Sequence, residues 1–244
     1  MLIAFISDVH GNLPALSAAV VDARKRGAER IYCAGDLVGY GPFPDQVCRF
    51  HADEKITTIS GNYDAKVLSL LADSDELEKK MKPGKLRILR WTCRHISQTS
   101  QRFLAALPSF HREVLSDHTE LLMVHGSPVS WDDVIYPSIT RNALEGKLAG
   151  EHPQILVCGH THVPFIKKIA GVTVVNCGSV GQPVDGDPRP SYALVRVENT
   201  GRLSSRIIRF SYPREELIRA IKDSSLPSDL AENFQNGVKK REKL

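Results

Sequence analysis

The chain has 244 residues, 42% of them hydrophobic and 25% charged, a balance that suits an ordinary globular protein and excludes wholesale disorder. No apolar run approaches the ~20 residues that cross a bilayer, and Met1–Ile6 is too short for a signal-peptide core and lacks its cationic lead. A net charge of +4 is too weak to indicate nucleic-acid binding, and five scattered cysteines without a CxxC pair argue against a disulfide scaffold and for a reducing cytoplasm.

In chain order, Leu2 to Ser7 reads as a buried parallel strand. Asn12 then offers a helix N-cap with Pro14 in the first turn; Leu16, Ala19, Val20 and Ala23 keep the helical period, and Gly27 supplies the stop. Arg30 to Ala34 is a second strand ending at Gly35-Asp36, and Lys55 to Ser60 a third ending at Gly61-Asn62. Strands that each end in a polar pair predict an α/β sheet with a site at its carboxyl edge. From Ala65 to Leu107 the pattern is helical, with Leu86, Leu89, Cys93, Ile96, Phe103 and Leu107 on one stripe and Arg87, Arg90 and Arg94 on another. The arginine stripe suits a solvated helix face, or a rim that draws distal phosphates toward a site.

The second half changes character. Glu120–Val124 leads into His125-Gly126, and Ile155–Cys158 into Gly159-His160-Thr161-His162. The runs 165–169, 173–175, 192–197 and 203–210 follow, punctuated by Ala170-Gly171 and Asn199-Thr200-Gly201, so this half reads as mostly antiparallel. Pro213 to Ile221 forms a last helix, and the basic tail from Asn236 to Leu244 reads as frayed. The whole is expected to form a single domain over 1–244, with a helical insertion at about 65–107 and the helix and tail at about 213–244.

Five clusters place metal-type ligands just after apolar strands: Asp8-Val9-His10, Gly35-Asp36, Gly61-Asn62, His125-Gly126 and His160-Thr161-His162. In extended backbone, residues i and i+2 project to one side, so the Asp-x-His and His-x-His pairs can aim at one small volume. Carboxylate, amide oxygen and imidazole together suit borderline divalent metals. One ion rarely needs seven protein ligands; two ions sharing a carboxylate do. Taken singly, Asp8 could be a helix cap, Asp36 a turn residue and His125 a core histidine. His51, His95, His111, His118 and His152 lack this context and read as surface or capping residues.

These blocks resemble, in order and spacing from residue 8 to 162, the signature of the calcineurin-like metallophosphoesterases. The stretches His10-Gly11-Asn12-Leu13, Asn176 to Pro183 and Asp187-Pro188-Arg189 are similar to a small prokaryotic branch that includes phosphodiesterases and diadenosine tetraphosphate hydrolases. The resemblance implies a four-layer α-β-β-α sandwich with two divalent ions at one edge, manganese first and iron, zinc, nickel or cobalt as alternatives. Asp8, His10 and His162 would hold one ion, Asn62, His125 and His160 the other, and Asp36 would bridge them. Asp36, His125 and Asn62 would form the catalytic set, with in-line attack on phosphorus by a hydroxide between the ions. Asn12, Tyr63, Ser179 and Arg189 are the candidate substrate contacts.

Two departures narrow the substrate. Many members carry histidine after Gly-Asn to protonate the leaving oxygen, whereas this chain has Tyr63, and a phenol with reference pKa near 10 is a poor acid. A phosphoanhydride, whose leaving phosphate needs little help, is therefore expected over an alkyl monoester. Gly35-Asp36-Leu37-Val38-Gly39 also lacks the Asp-Arg continuation of Ser/Thr protein phosphatases. The expected partner is a small phosphorylated molecule, such as a dinucleoside polyphosphate, with no membrane and no stable nucleic-acid complex; a homo-oligomer stays open. The alternatives are a general phosphodiesterase and a protein-binding scaffold of little activity.

Overall fold

The first strand, β1 (Leu2–Ile6), is buried on both faces, which explains why its sequence is apolar without alternation. Ile3 and Phe5 face an inner core, while Leu2, Ala4 and Ile6 face an outer one. In the computed structural model, residues 1–72, 75–115, 118–198 and 200–238 are described.

Beside β1 lie β2 (Arg30–Cys33) and β3 (Thr57–Thr58), both parallel to their neighbours. On the other side β9 (Ser191–Val197) pairs antiparallel with β1, and β10 (Leu203–Arg209) with β9, which gives the order β10-β9-β1-β2-β3. The second sheet contains β4 (Phe110–Val114), β5 (Glu120–Val124), β6 (Ile155–Cys158), β7 (Phe165–Ile169) and β8 (Val172–Asn176), in the order β4-β5-β6-β8-β7. Its centre is parallel, β5 to β6 to β8, and only its two edges are antiparallel. The antiparallel expectation therefore holds at the edges and at β9–β10 but not in the middle of this sheet. Ala170 and Gly171, both at positive φ, make the tight β7–β8 turn.

The sheets face each other across Phe5, Tyr32, Met123, Val157 and Val195. Helix α1 (Leu13–Lys25) packs Leu16, Ala19, Val20 and Ala23 on the outside of the first sheet, with Asn12 as its N-cap. Joining it there are α2 (Pro44–Asp53), α3 (Asn62–Leu71), α4 (Asp75–Lys80), α5 (Pro83–Arg94) and α6 (Gln98–Ala105). Helix α7 (Arg141–Leu148) covers the second sheet with Leu144 and Leu148. Helices α8 (Arg214–Asp223) and α9 (Asp229–Asn236) close the chain on the first sheet's outer core. The layers are α-β-β-α, as expected. Residues 239–244 of the basic tail, and Asn199 of the β9–β10 turn, lie outside the described residues.

Several local expectations need correction. The apolar stripe from Leu86 to Leu107 is split between α5 and α6, because Ser97 caps a new helix with its hydroxyl. Sequence reading missed α2, α7, α9 and β4. His51 is not a surface residue: it lies on the buried face of α2 and is 1% exposed. Exposed His95 does end a helix, at the α5 C-cap, with Nδ1 on the Trp91 carbonyl.

Candidate metal centre

The loops after β1, β2, β5 and β6, together with the first residue of α3, bring the expected ligands to one edge of the sandwich. They do not do so in extended backbone. Asp8, His10, Asp36, His160 and His162 all have positive φ, between 48° and 63°. Left-handed backbone costs a non-glycine residue roughly 1–2 kcal/mol, and such residues persist only where the surroundings over-determine them. Here the surroundings are backbone ladders between the loops. Asp8 N–H donates to the Gly35 carbonyl (2.9 Å), His10 N–H to the Asp36 carbonyl (2.9 Å), and Gly159 N–H to the His125 carbonyl (2.9 Å). The approach is so close that a Cβ on Gly61 would overlap Asp36 Oδ1, and one on Gly159 would overlap Asp8 Oδ2.

Each carboxylate is tethered by one oxygen and aims the other inward. Asp8 Oδ2 accepts from His160 N–H (2.9 Å), and Asp36 Oδ1 from Tyr63 N–H (2.7 Å). The free oxygens then meet imidazoles. Asp8 Oδ1 is 3.2 Å from His162 Nε2 and 3.8 Å from His10 Nε2, while Asp36 Oδ2 is 3.6 Å from His10 Nε2 and 3.4 Å from His125 Nε2. Asp64 steadies two of the loops at once: Oδ1 accepts from the N–H groups of Leu37 and Val38, and Oδ2 from that of Gly61.

The three innermost histidines share one arrangement. Nδ1 faces a backbone carbonyl in each: Val38 for His10 (3.1 Å), Ala34 for His125 (2.7 Å) and Gln182 for His162 (2.5 Å). A carbonyl only accepts, so Nδ1 carries a proton in each ring and Nε2 is the atom turned to the centre, as in metal-ligating histidines. His10 Nε2 and His162 Nε2 stand 3.2 Å apart, and Asp8 Oδ1 is buried with no hydrogen-bond partner. Facing lone pairs and an orphaned carboxylate oxygen are unfavourable unless a cation lies among them. The donor set therefore fits a divalent metal.

Two overlapping groups of ligand atoms each converge within 4.8 Å: Asp8, His10 and His162, and Asp8, Asp36 and His125. Asn62 Oδ1 joins the second at 3.2 Å from His125 Nε2. The His160 ring packs edge-on against His125 at 5.2 Å between centroids but is outside both groups. Charge in the centre follows this geometry. Burial works against ionising Asp8, yet the facing imidazoles of His162, His125 and His10 hold it below the ordinary carboxylate range. Burial pushes His10 down to about 4 despite Asp36 beside it. At His125 burial acts downward too, but the Asp36 carboxylate, with help from Asp8, outweighs it and pushes the imidazole up to about 10.

The centre opens into a cavity of about 410 Å³ whose walls include Tyr40, Tyr63, Lys66, Lys85, Asp132 and Tyr136. Of the four expected substrate contacts, Tyr63 alone is in this wall. Asn12 is buried, its Oδ1 taken by Ala15 N–H and its amide donating to the Gly181 carbonyl and Tyr212 hydroxyl. The buried Ser179 hydroxyl donates to the Asp8 carbonyl and accepts from Gln182 N–H, so it braces the first ligand loop from behind. Arg189 pairs with Asp187 in an exposed loop. The arginine stripe is not here either: Arg87 reaches the Ser225 carbonyl and Arg90 pairs with Glu78.

Sequence reading missed Asp132, which accepts from Asn62 Nδ2 (2.7 Å) and Lys66 Nζ (3.0 Å), turning Asn62 Oδ1 toward His125. It also missed Lys66, which had a signal, since it lies one helical turn after Asn62; Asp132 had none. Lys85, in the wall, belongs to the acid-free basic run between Lys79 and His95 that reads as a solvated face or a phosphate-attracting rim.

The calcineurin-like phosphoesterase superfamily domain matches residues 1–200. The chain belongs to that superfamily. Among relatives of this phosphoesterase is the uncharacterized protein MJ0912 of Methanocaldococcus jannaschii, 28% identical over 251 residues that span 96% of this chain and 97% of the relative. Another is the phosphodiesterase YfcE of Escherichia coli, 24% identical over 195 residues, 80% of this chain and 87% of YfcE. Among solved structures, a metallophosphoesterase from Sphaerobacter thermophilus superposes with a TM-score of 0.79 at 27% identity, covering 98% of this chain and 99% of its own. The protein is thus a metal-dependent phosphoesterase, a hydrolase of the calcineurin-like fold.

Proposed function

We propose that this phosphoesterase cleaves a phosphodiester or phosphoanhydride bond of a small nucleotide-type substrate at a two-metal centre. The reading is carried by one observation: two ligand groups that share Asp8, with Asp36 Oδ2 lying between His10 of the first and His125 of the second. Asp8, His10 and His162 would hold one ion. Asp36, His125 and Asn62 would hold the other beside His160, and Asp36 would bridge. Manganese is the first choice; iron, zinc, nickel and cobalt suit the same nitrogen and oxygen donors. Two ions, when bound, supply an activated water and neutralise charge on the phosphoryl oxygens.

The chain's own residues do the rest. Carbonyls of Ala34, Val38 and Gln182 fix each histidine tautomer, and backbone N–H groups of His160 and Tyr63 fix the carboxylates. Tyr63, whose hydroxyl is hydrogen-bonded to that of Tyr40, stands in the wall in place of a stronger acid. A leaving group that departs without protonation is accordingly favoured, which points to an anhydride. Among the described residues no helix is long and apolar enough to cross a membrane, and the cysteines are free thiols, which suits the cytoplasm.

The test is hydrolysis of diadenosine tetraphosphate and bis-p-nitrophenyl phosphate with added Mn²⁺. Cleavage of the dinucleotide, reduced about 100-fold or more in Asp36→Asn, is the expected result. Cleavage of the aryl diester alone would favour the general phosphodiesterase that the YfcE relative exemplifies. Metal-loaded protein inert toward both would leave a scaffold.

A further inference from the structure

Tyr40 neither ligates nor tethers the metal centre, yet it is held beside it in a strained conformation. It is an aromatic residue at φ 51°, between Gly39 and Gly41. Left-handed backbone at such a residue persists only where the surroundings impose it. Here Gly41 N–H donates to the His10 carbonyl (2.8 Å), which fastens the loop that carries Tyr40 to the first ligand loop. A Cβ on Gly39 would overlap Tyr63 Cδ1, so that glycine makes room for a second tyrosine.

The outcome is a pair of buried phenols at the metal centre. Tyr40 and Tyr63 are 5% and 7% exposed, both are in the cavity wall, and their hydroxyls are hydrogen-bonded to each other. Both rings stand edge-on to His10, at 4.8 and 5.2 Å between centroids. Packing against the imidazole would be served by two phenylalanines, so the hydroxyls add something else. Each has one proton and two lone pairs. Their contact uses one proton, and the other is directed to a third atom. A hydroxyl that accepts a hydrogen bond is polarised by it and donates more strongly in turn. Lys66 Nζ, 5.6 Å from the Tyr63 ring centroid, favours Tyr63 as the outer donor, because a cation beside a phenol strengthens its O–H toward an anion.

We propose that Tyr40 is a positioning residue: it donates to Tyr63 Oη and so directs the Tyr63 O–H onto an oxygen of the phosphoryl group at the metal centre. This rests on the phosphohydrolase reading above. It adds to the metals a neutral donor that stabilises negative charge on the phosphoryl oxygen while keeping its own proton.

Calorimetry on the manganese-loaded protein with methylphosphonate, which cannot be hydrolysed, tests the chain of donors. Tyr63→Phe is expected to lower the affinity about tenfold, the worth of one hydrogen bond to a charged group. Tyr40→Phe should lower it about threefold. The double variant should lose about tenfold, no more than Tyr63→Phe, because Tyr40 acts only through Tyr63. Losses that multiply to about thirtyfold would make the two hydroxyls independent and overturn the proposal. So would a larger loss in Tyr40→Phe than in Tyr63→Phe, or no loss in either. Binding should also perturb tyrosine ultraviolet absorption in the wild type and in Tyr40→Phe; an equal perturbation in Tyr63→Phe overturns the donor assignment. Phenylalanine keeps both ring contacts with His10, so Mn²⁺ affinity is expected to stay within about twofold in every variant. A fall in metal affinity that matches the methylphosphonate losses would reduce the pair to packing behind His10 and overturn its role toward phosphate. Hydrolysis of bis-p-nitrophenyl phosphate by the wild type is scored separately. Its absence overturns the hydrolase reading, while hydrolysis with multiplying losses overturns the tyrosine pair alone.

Discussion

Asp132 reaches Asn62 from the open side of the cavity, and its exposed carboxylate holds the Asn62 amide nitrogen away from the centre. Without it the amide can rotate and present a donor where an acceptor is needed. Asp132→Ala should weaken Mn²⁺ binding about tenfold, the low end for lost outer partners of metal ligands because this one is solvated. Asp132→Asn, which keeps an accepting oxygen, should restore most of the affinity; metal titration by calorimetry decides, and equal losses in the two variants would make the effect one of charge. His51, on the buried face of α2, makes a pH prediction. Thr58 Oγ donates to the Ile56 carbonyl and so accepts from His51 Nδ1, leaving Nε2 buried and without a partner. Burial pushes this imidazole down to about 3. Because its folded pKa is depressed, its contribution to stability is complete above about pH 6.5 and is lost as pH falls toward 3. The slope should approach about 1.4 kcal/mol per pH unit. Urea melts from pH 7 to 4 should show a shallower decline in His51→Asn than in the wild type; parallel declines would remove His51 from the account.

At the scale of elements, α1 ties two functional loops together through its cap. Asn12→Asp keeps the acceptor for Ala15 N–H but turns the donor facing the Gly181 carbonyl into an acceptor, at a cost of about 1–3 kcal/mol. Asn12→Ala should lose the cap as well, about 1 kcal/mol more. If Asn12 instead touched substrate, both changes would raise KM and leave the melting temperature alone, so paired thermal and kinetic measurements separate the roles. This helix was legible in the sequence because cap, first-turn Pro14, apolar period and Gly27 all agree. The strands 120–124, 155–158 and 165–169 were legible for the same reason: apolar runs bounded by turn residues. Helix α7 was not, since only Leu144 and Leu148 are buried, one turn apart, too little to set a period. Helix α2 was hidden because its buried face includes a histidine that reads as polar. The ligand blocks were readable as types and order, but their geometry was not. A left-handed Asp8 or His162 is a product of the ladders between loops, and no local preference of Asp or His announces it.

For the whole molecule, the site is a junction between sheets. Asp8, His10, Asp36 and Asn62 follow strands of the first sheet or begin the helix after it, whereas His125, His160 and His162 follow strands of the second. Below this edge the sheets are joined by apolar packing; at the edge itself they meet through carboxylates and imidazoles, with Asp8 Oδ1 buried and unpartnered among them. Metal should therefore act as a cross-link and raise global stability, not only activity. At a free Mn²⁺ concentration 100 times its Kd, one site adds about 2.7 kcal/mol. For a chain of this size that is a rise in melting temperature of roughly 5–11 °C. A chelator should reverse it, and Zn²⁺ or Co²⁺ should reproduce it in part. Asp36→Asn, which weakens the carboxylate lying between the two histidine sets, should lose most of the shift, and its melting temperature without metal should fall below that of the wild type, because His125 loses its buried charge partner. A metal-induced rise of the same size in the variant would place the ion away from Asp36, and no rise in the wild type would mean that the two sheets are already satisfied at this edge without one.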